Sequence, residues 1–342
     1  TNYIQLTPTG FKFEVNNDTT ANNAGDTYVY MAIRRPDGYV GKPAKLGTDV
    51  FAMDTGAGNS TTPNFDSGFP VDFAFSRDVD TVDNWYTFAR LTGKGFMYLQ
   101  AAGTESDSND WSWDSNVGWQ QANWGSDKQS WMFKRHAGMD CITYKGDGVT
   151  GKQIPHSLSK IPEMIWIKNS DRTEPWRVYH KGLNGGTTPH NYGLKLNTYD
   201  AESAVTIWNQ TAPTSTHFTI NADSGVNHSG EDMRAFLFAS VDGISKVGYY
   251  TGNGSATERT ITLGFQPRFL IIKRTDTSGY WHVYDTLRGW GSGNDADIYL
   301  NDADGNASSN DRGAPTSTGF TLNTDVAGIN ASSGKYIYYA HA

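Results

Sequence analysis

The sequence predicts an all-β protein made of tandem antiparallel β-sandwich modules of about 100 residues, jelly-roll or immunoglobulin-like. Three observations predict it. The 342 residues include 37 glycines and 13% aromatics among abundant Asn, Asp, Ser and Thr, a composition of short strands and tight turns. Apolar and polar residues alternate in runs such as WHVYD (281–285) and FTLN (320–323), which places one strand face inward and the other toward solvent, and helical periodicity is absent. The same blocks also recur along the chain at a spacing of roughly 100 residues.

The repeated elements follow a fixed order. MIWIKNSD (164–171), FLIIKRTD (269–276) and VDFAFSRD (71–78) are apolar strands, each followed by a tryptophan strand: WRVYH (176–180), WHVYD (281–285) and WYTFA (85–89). YGLKLN (192–197), IYLN (298–301) and FMYLQ (96–100) come next. PTGFKFEV (8–15), PTSTHFTI (213–220) and PTSTGFTL (315–322) then combine a proline turn with an alternating strand. An Asn-small-Gly turn (22–25, 227–230, 330–334) leads to a last apolar strand, TYVYMAI, RAFLFAS or KYIYYAHA, and the two strands read as a recurring hairpin. On this period residues 1–44 are the C-terminal half of a first unit plus a linker. Residues 45–138, 139–243 and 244–342 are the second, third and fourth units. Because Thr1 falls inside a repeat, the chain is expected to be part of a longer polypeptide.

Composition narrows the function. With 28 basic against 36 acidic residues the net charge is −8, and no Lys/Arg run is present to track a nucleic-acid backbone, so no nucleic-acid partner is expected. The longest apolar runs, such as FLII (269–272), fall far short of the roughly 20 residues that span a bilayer, so no membrane insertion is expected. Cys141 is the single cysteine; it permits no intramolecular disulfide and no cysteine-cluster zinc site.

YKGDGVTGK (144–152) carries the glycine-lysine skeleton of a phosphate-binding loop. The repeat supplies an internal control, since a feature required by the fold recurs in every copy. YTGNGSATE (250–258) and MDTGAGNST (53–61) keep only the paired glycines. Gln153 stands where the magnesium-binding hydroxyl belongs, and IPHSL follows in place of a helix. Gly146 and Gly148 are therefore read as a hairpin turn.

Other candidates stand against bland readings. Asp302, Asp304 and Asn306 have the alternate spacing of a calcium loop, but the glycine is misplaced and no closing Glu follows; apart from this loop no cofactor is expected. His156, His180, His190 and His217 all lie in the third unit, yet their counterparts, such as Asp285 for His180, are not histidines. Among Trp111, Trp113, Trp119, Trp124 and Trp131 at least three belong in a core. Exposed tryptophan stacks on sugar rings, and Trp124, Trp208 and Trp290 are the candidates for that role, the last two in turn-rich contexts. No catalytic motif appears; Asp200 and Glu202 are examples of carboxylates for a hydrolase alternative.

The succession RRPDGYVGKP (34–43), SGFPVDFAF (67–75), WMFKRHAGMD (131–140), IPHSL with IPEMIWIK (154–168), FASVDGISKVGYYTGNG (238–254), FQPRFLIIKRTD (265–276) and WHVYDTLRGW (281–290) resembles repeat modules of large structural proteins of tailed marine bacteriophages. That resemblance implies a virion protein, tail or fibre-associated, made of lectin-like β modules without catalytic residues. It would be assembled in the host cytoplasm and carried on the extracellular particle. Other virion proteins and a host-surface polysaccharide are the partners it implies, with a homotrimer if the protein belongs to a fibre. A head-decoration or capsid-fibre protein and a polysaccharide-degrading virion enzyme are the alternatives.

Overall fold

The computed structural model describes residues 4–7, 10–13, 22–31, 44–58, 61–121 and 128–342. It is all-β, with antiparallel sheets throughout. Three six-stranded sheets dominate, each built from one unit in the same order. In the third unit the order is Met139–Lys145, Asp232–Phe238, Met164–Asn169, Arg177–His180, Tyr192–Lys195 and Ser203–Ala204. The fourth unit repeats it with Ser245–Thr251, Lys335–His341, Phe269–Arg274, Trp281–Asp285, Asp295–Tyr299 and Ala307–Asn310. The second does so from Phe51–Thr55 and Lys128–Phe133 through Phe73–Asp78 to Ser106–Asp107. In every case the last long strand of the unit enters between the first and the second.

A smaller sheet covers the outer face of each large one. Lys152–Pro155 pairs with His217–Ile220, and Gly319–Leu322 lies between Arg259–Thr262 and Pro315–Thr316. In the second unit Gly118–Gln121 joins Phe65–Asp66 to Trp111–Ser112. The expected hairpins are thereby corrected. His217–Ile220 and Asp232–Phe238 belong to different sheets, as do Gly319–Leu322 and Lys335–His341. The Asn-small-Gly segment is a crossing between layers, and its asparagine is a buried clamp. Asn227 Nδ2 donates to Val149 O (2.9 Å) and Asp147 Oδ1 (3.1 Å), while Asn330 Nδ2 reaches Ser255 O and Asn253 Oδ1 in the fourth unit.

The expectation that one strand face meets solvent is also corrected. Met164–Asn169 and Lys128–Phe133 are buried along their whole length. The cause is a core shared by all three large sheets. Phe75, Trp85 and Trp131 of the second unit, Trp166, Trp176 and Phe236 of the third, and Ile271, Trp281 and Tyr339 of the fourth form one cluster. The outer faces supply three separate clusters, centred on Trp119, Phe218 and Phe320, against the small sheets. Each large sheet is thus the middle layer between a private core and a common one.

Hydrogen bonds repeat around that centre and close a ring. The indole Nε1 of Trp176 donates to Tyr98 O (2.9 Å), that of Trp281 to Lys195 O (3.2 Å), and that of Trp85 to Tyr299 O (2.7 Å). These acceptors occupy one repeat position, so each unit bonds to the preceding one and the second bonds back to the fourth. Backbone bonds follow the same cycle: Glu105 N to Ser170 O, Glu202 N to Thr275 O and Asn306 N to Val79 O, each 2.8 Å. A buried cation also recurs, as Arg77, Lys168 and Lys273, each donating to main-chain carbonyls.

Candidate functional site

Of the tryptophans expected to bind sugar, Trp124 lies outside the described residues. Trp208 and Trp290 are buried, at 2% and 5% exposure, which corrects the exposure expected of them. Trp208 donates to Tyr192 O (3.0 Å) and packs on Tyr179; Trp290 donates to Gly313 O (2.9 Å) and packs near Tyr284 and Phe320. Their turn-rich neighbourhoods are the lips of the sandwiches, where a large ring closes the small core. Trp111 and Trp119 belong to the private core of the second unit, with Trp113 partly buried against it, and Trp131 belongs to the shared core.

The segment from Tyr144 makes a glycine turn. Gly148, Gly254 and Gly58, at one repeat position, have φ of +69°, +63° and +66°. Lys152 Nζ is held by Lys145 O (2.7 Å) and Asp147 Oδ2 (3.0 Å). The turn links a strand of the large sheet to one of the small sheet, a corner between layers where a hairpin was expected.

In the loop from Asp302 to Asn306, Ala303 O and Asp304 O accept from the Arg77 guanidinium at 2.9 and 2.8 Å, and Asp302 O at 3.4 Å. Burial pulls Arg77 down to about 10. The Asp302 carboxylate accepts from Tyr199 Oη and from Asp304 N, and Asn306 Oδ1 accepts from Arg288 Nη1 (2.9 Å). Among the described residues no group of three or more His, Cys, Asp or Glu is placed to hold a metal.

The four histidines do not gather at one point. His180 is in the shared core, its ring bonded to Tyr338 O and Gly182 N, and burial lowers its pKa to about 3. His156 and His217 meet different atoms of Thr214, and His190 sits in the short turn Pro189–Asn191. Asp200 pairs with Lys195 (3.0 Å), while Glu202 accepts from Asn184 N (2.7 Å) and from Thr275 Oγ1 across the junction of the third and fourth units. Burial raises the Glu202 pKa.

The repeat itself isolates the strongest site. The closed ring has three equivalent junctions. At the one between the third and fourth units the loop positions hold Tyr199 and Tyr280, where the other two have Ala102 with Pro175 and Ala303 with Asn84. Both tyrosines are exposed, at 43% and 38%, and their rings meet edge to face at 5.0 Å. Tyr280 stacks on Tyr299 at 4.0 Å, which in turn meets His282 at 5.0 Å. His282 is fixed by Asp297 (3.0 Å), itself bound by Arg312 (2.9 Å). The backbone of the ledge is tied down too, since Lys273 Nζ donates to Tyr199 O and Gly279 O. The bond to Asp302 is the main cause holding the Tyr199 phenol above its usual range. This is a rigid aromatic ledge with hydroxyl and carboxylate groups at its rim. Comparison of the loop residues across the three copies would have found it, because tyrosine occurs there in a single copy.

Fold and ledge together define a class: an all-β protein of three sheet-on-sheet units closed around one core, with an exposed tyrosine pair at one junction. Residues 89–342 match DUF7483, described as a domain of unknown function, and the chain belongs to that family. No curated protein and no solved structure matches the chain.

Proposed function

We propose that the protein is a structural component of a bacteriophage virion, tail or fibre-associated, that attaches to a host-surface glycan through the Tyr199–Tyr280 ledge. The resemblance of its repeat blocks to phage structural modules supports the virion role. The observation that carries the adhesion role is the exposed tyrosine pair at one of three equivalent junctions. The scaffold needs no tyrosine there, because Glu105 N and Asn306 N make the same ring-closing backbone bonds at junctions whose loops carry Ala102 and Ala303 in its place. Aromatic faces bind the C–H faces of sugars, and rings already locked by Tyr299 and His282 lose little entropy on binding.

A glycan-array screen with the intact chain, paired with a reducing-sugar release assay, tests this reading. Binding that falls at least tenfold in Tyr199→Ala and Tyr280→Ala, without sugar release, is expected. Release of reducing ends, lost on replacing a carboxylate pair, would instead establish the hydrolase alternative.

A further inference from the structure

Beside the ledge, the outer face of the third unit has a cleft lined by Arg177, Gly193, Lys195, Asp200, Ser203 and Val205. Arg177 and Lys195 are direct cross-strand partners on its floor, an unfavourable placement of like charges. The same register pairs His282 with Tyr299 in the fourth unit and Tyr86 with Tyr98 in the second, so the scaffold does not require two cations there. Gly193 occupies the position of Phe96, which packs on Tyr86 and Trp111, and of Asp297, which holds His282. The polar atoms of the cleft are only partly engaged. Arg177 Nη2 is 3.4 Å from Glu174 Oε2 and 3.6 Å from Asp223 Oδ1, both long contacts. Lys195 and Asp200 form a 3.0 Å pair with side chains 39% and 56% exposed.

We propose that this cleft is a subsite for a neutral sugar with adjacent hydroxyls, whose ring rests against Tyr199. The proposal rests on the glycan-adhesion reading and names the ligand class for that surface. A pair of vicinal hydroxyls both donates and accepts. Asp200 accepts from them while Lys195 and Arg177 donate, and the charge-assisted bonds are the strong part of the recognition. Gly193 and Val205 give the sugar's apolar edge a floor. Charge selects against acidic sugars. Three carboxylates, Glu174, Asp223 and Asp200, surround two cations, Asp302 and Asp304 lie close to Tyr199, and the whole chain carries −8.

Titration calorimetry of the intact chain tests the proposal, using neutral gluco-, manno- and galacto-oligosaccharides beside an oligouronate. Wild type, Asp200→Asn and Tyr199→Ala are compared, with circular dichroism confirming that each variant is folded; Asp200 is exposed enough for its replacement to leave the fold intact. Binding of a neutral oligosaccharide, weakened at least tenfold by Asp200→Asn and little changed by salt, is expected, with no oligouronate binding. Preference for the oligouronate overturns the proposal. So does undiminished binding by Asp200→Asn; if Tyr199→Ala still abolishes binding, the ledge stands and only the cleft assignment falls. If no saccharide binds, both readings fall.

Discussion

His341 occupies the repeat position of Phe133 and Phe238, packed against the rings of Phe51, Phe133 and Tyr339 in the shared core. Burial lowers its pKa to about 3, as it does for His180. Both rings are neutral in the folded chain and titrate near 6.5 when it unfolds. As pH falls below about 6.5 the unfolded state takes up protons that the folded state refuses until about pH 3. Stability contributed by each histidine is therefore complete above pH 6.5 and is lost across that window, by up to about 1.4 kcal/mol per pH unit. His341→Phe restores the residue of the sister units and removes one such group. Denaturant melts of wild type and variant at pH 7, 5.5 and 4 should diverge, the variant losing less stability with acid. Parallel slopes would show that His341 is not the group responsible.

At the scale of the element, the two glycines of the corner do different work. Gly148 adopts a left-handed φ of +69° with its nearest neighbour at ordinary contact distance. Gly146 has no such φ, but a Cβ there would stand 2.0 Å from His228 O, and Gly252 repeats this with 2.1 Å to Ala331 O. Gly148→Ala should cost about 1 kcal/mol, the penalty of a left-handed alanine. Gly146→Ala has to push apart two backbones joined by Gly146 N to Glu231 O and Gly230 N to Gly146 O. It should cost clearly more in a chemical melt, and equal losses would refute this division of roles. The glycine turn was legible in the sequence because paired glycines have few other uses. Which sheets the turn joins was not, because period-two alternation reads the same for a strand in the large sheet and one in the small sheet.

At the scale of the molecule, the indole bonds and the common core make the three units one closed body. A fragment spanning 139–243 would expose Trp166, Trp176 and Phe236 and lose the partners of Trp176 and Lys195 in the neighbouring units. It should show no cooperative unfolding transition by calorimetry, whereas the ring should unfold in a single one. Independent melting of the fragment would indicate that each private core suffices. The all-β fold class and the recurrence of its sequence blocks could be read from the sequence alone, because strand-type alternation, turn residues and repetition are local properties of the chain. Three of the five clustered tryptophans could be placed in a core for the same reason. Only the tertiary structure decided that the large sheets are buried on both faces, that Trp208 and Trp290 are covered, and that Tyr199 meets Tyr280 at the surface. The shared core and the tyrosine pair depend on how one unit packs against the next, over separations of about 80 to 200 residues, whereas Trp208 and Trp290 are covered within the private cores of their own units; in both cases an apolar residue in the sequence does not say which neighbour will cover it.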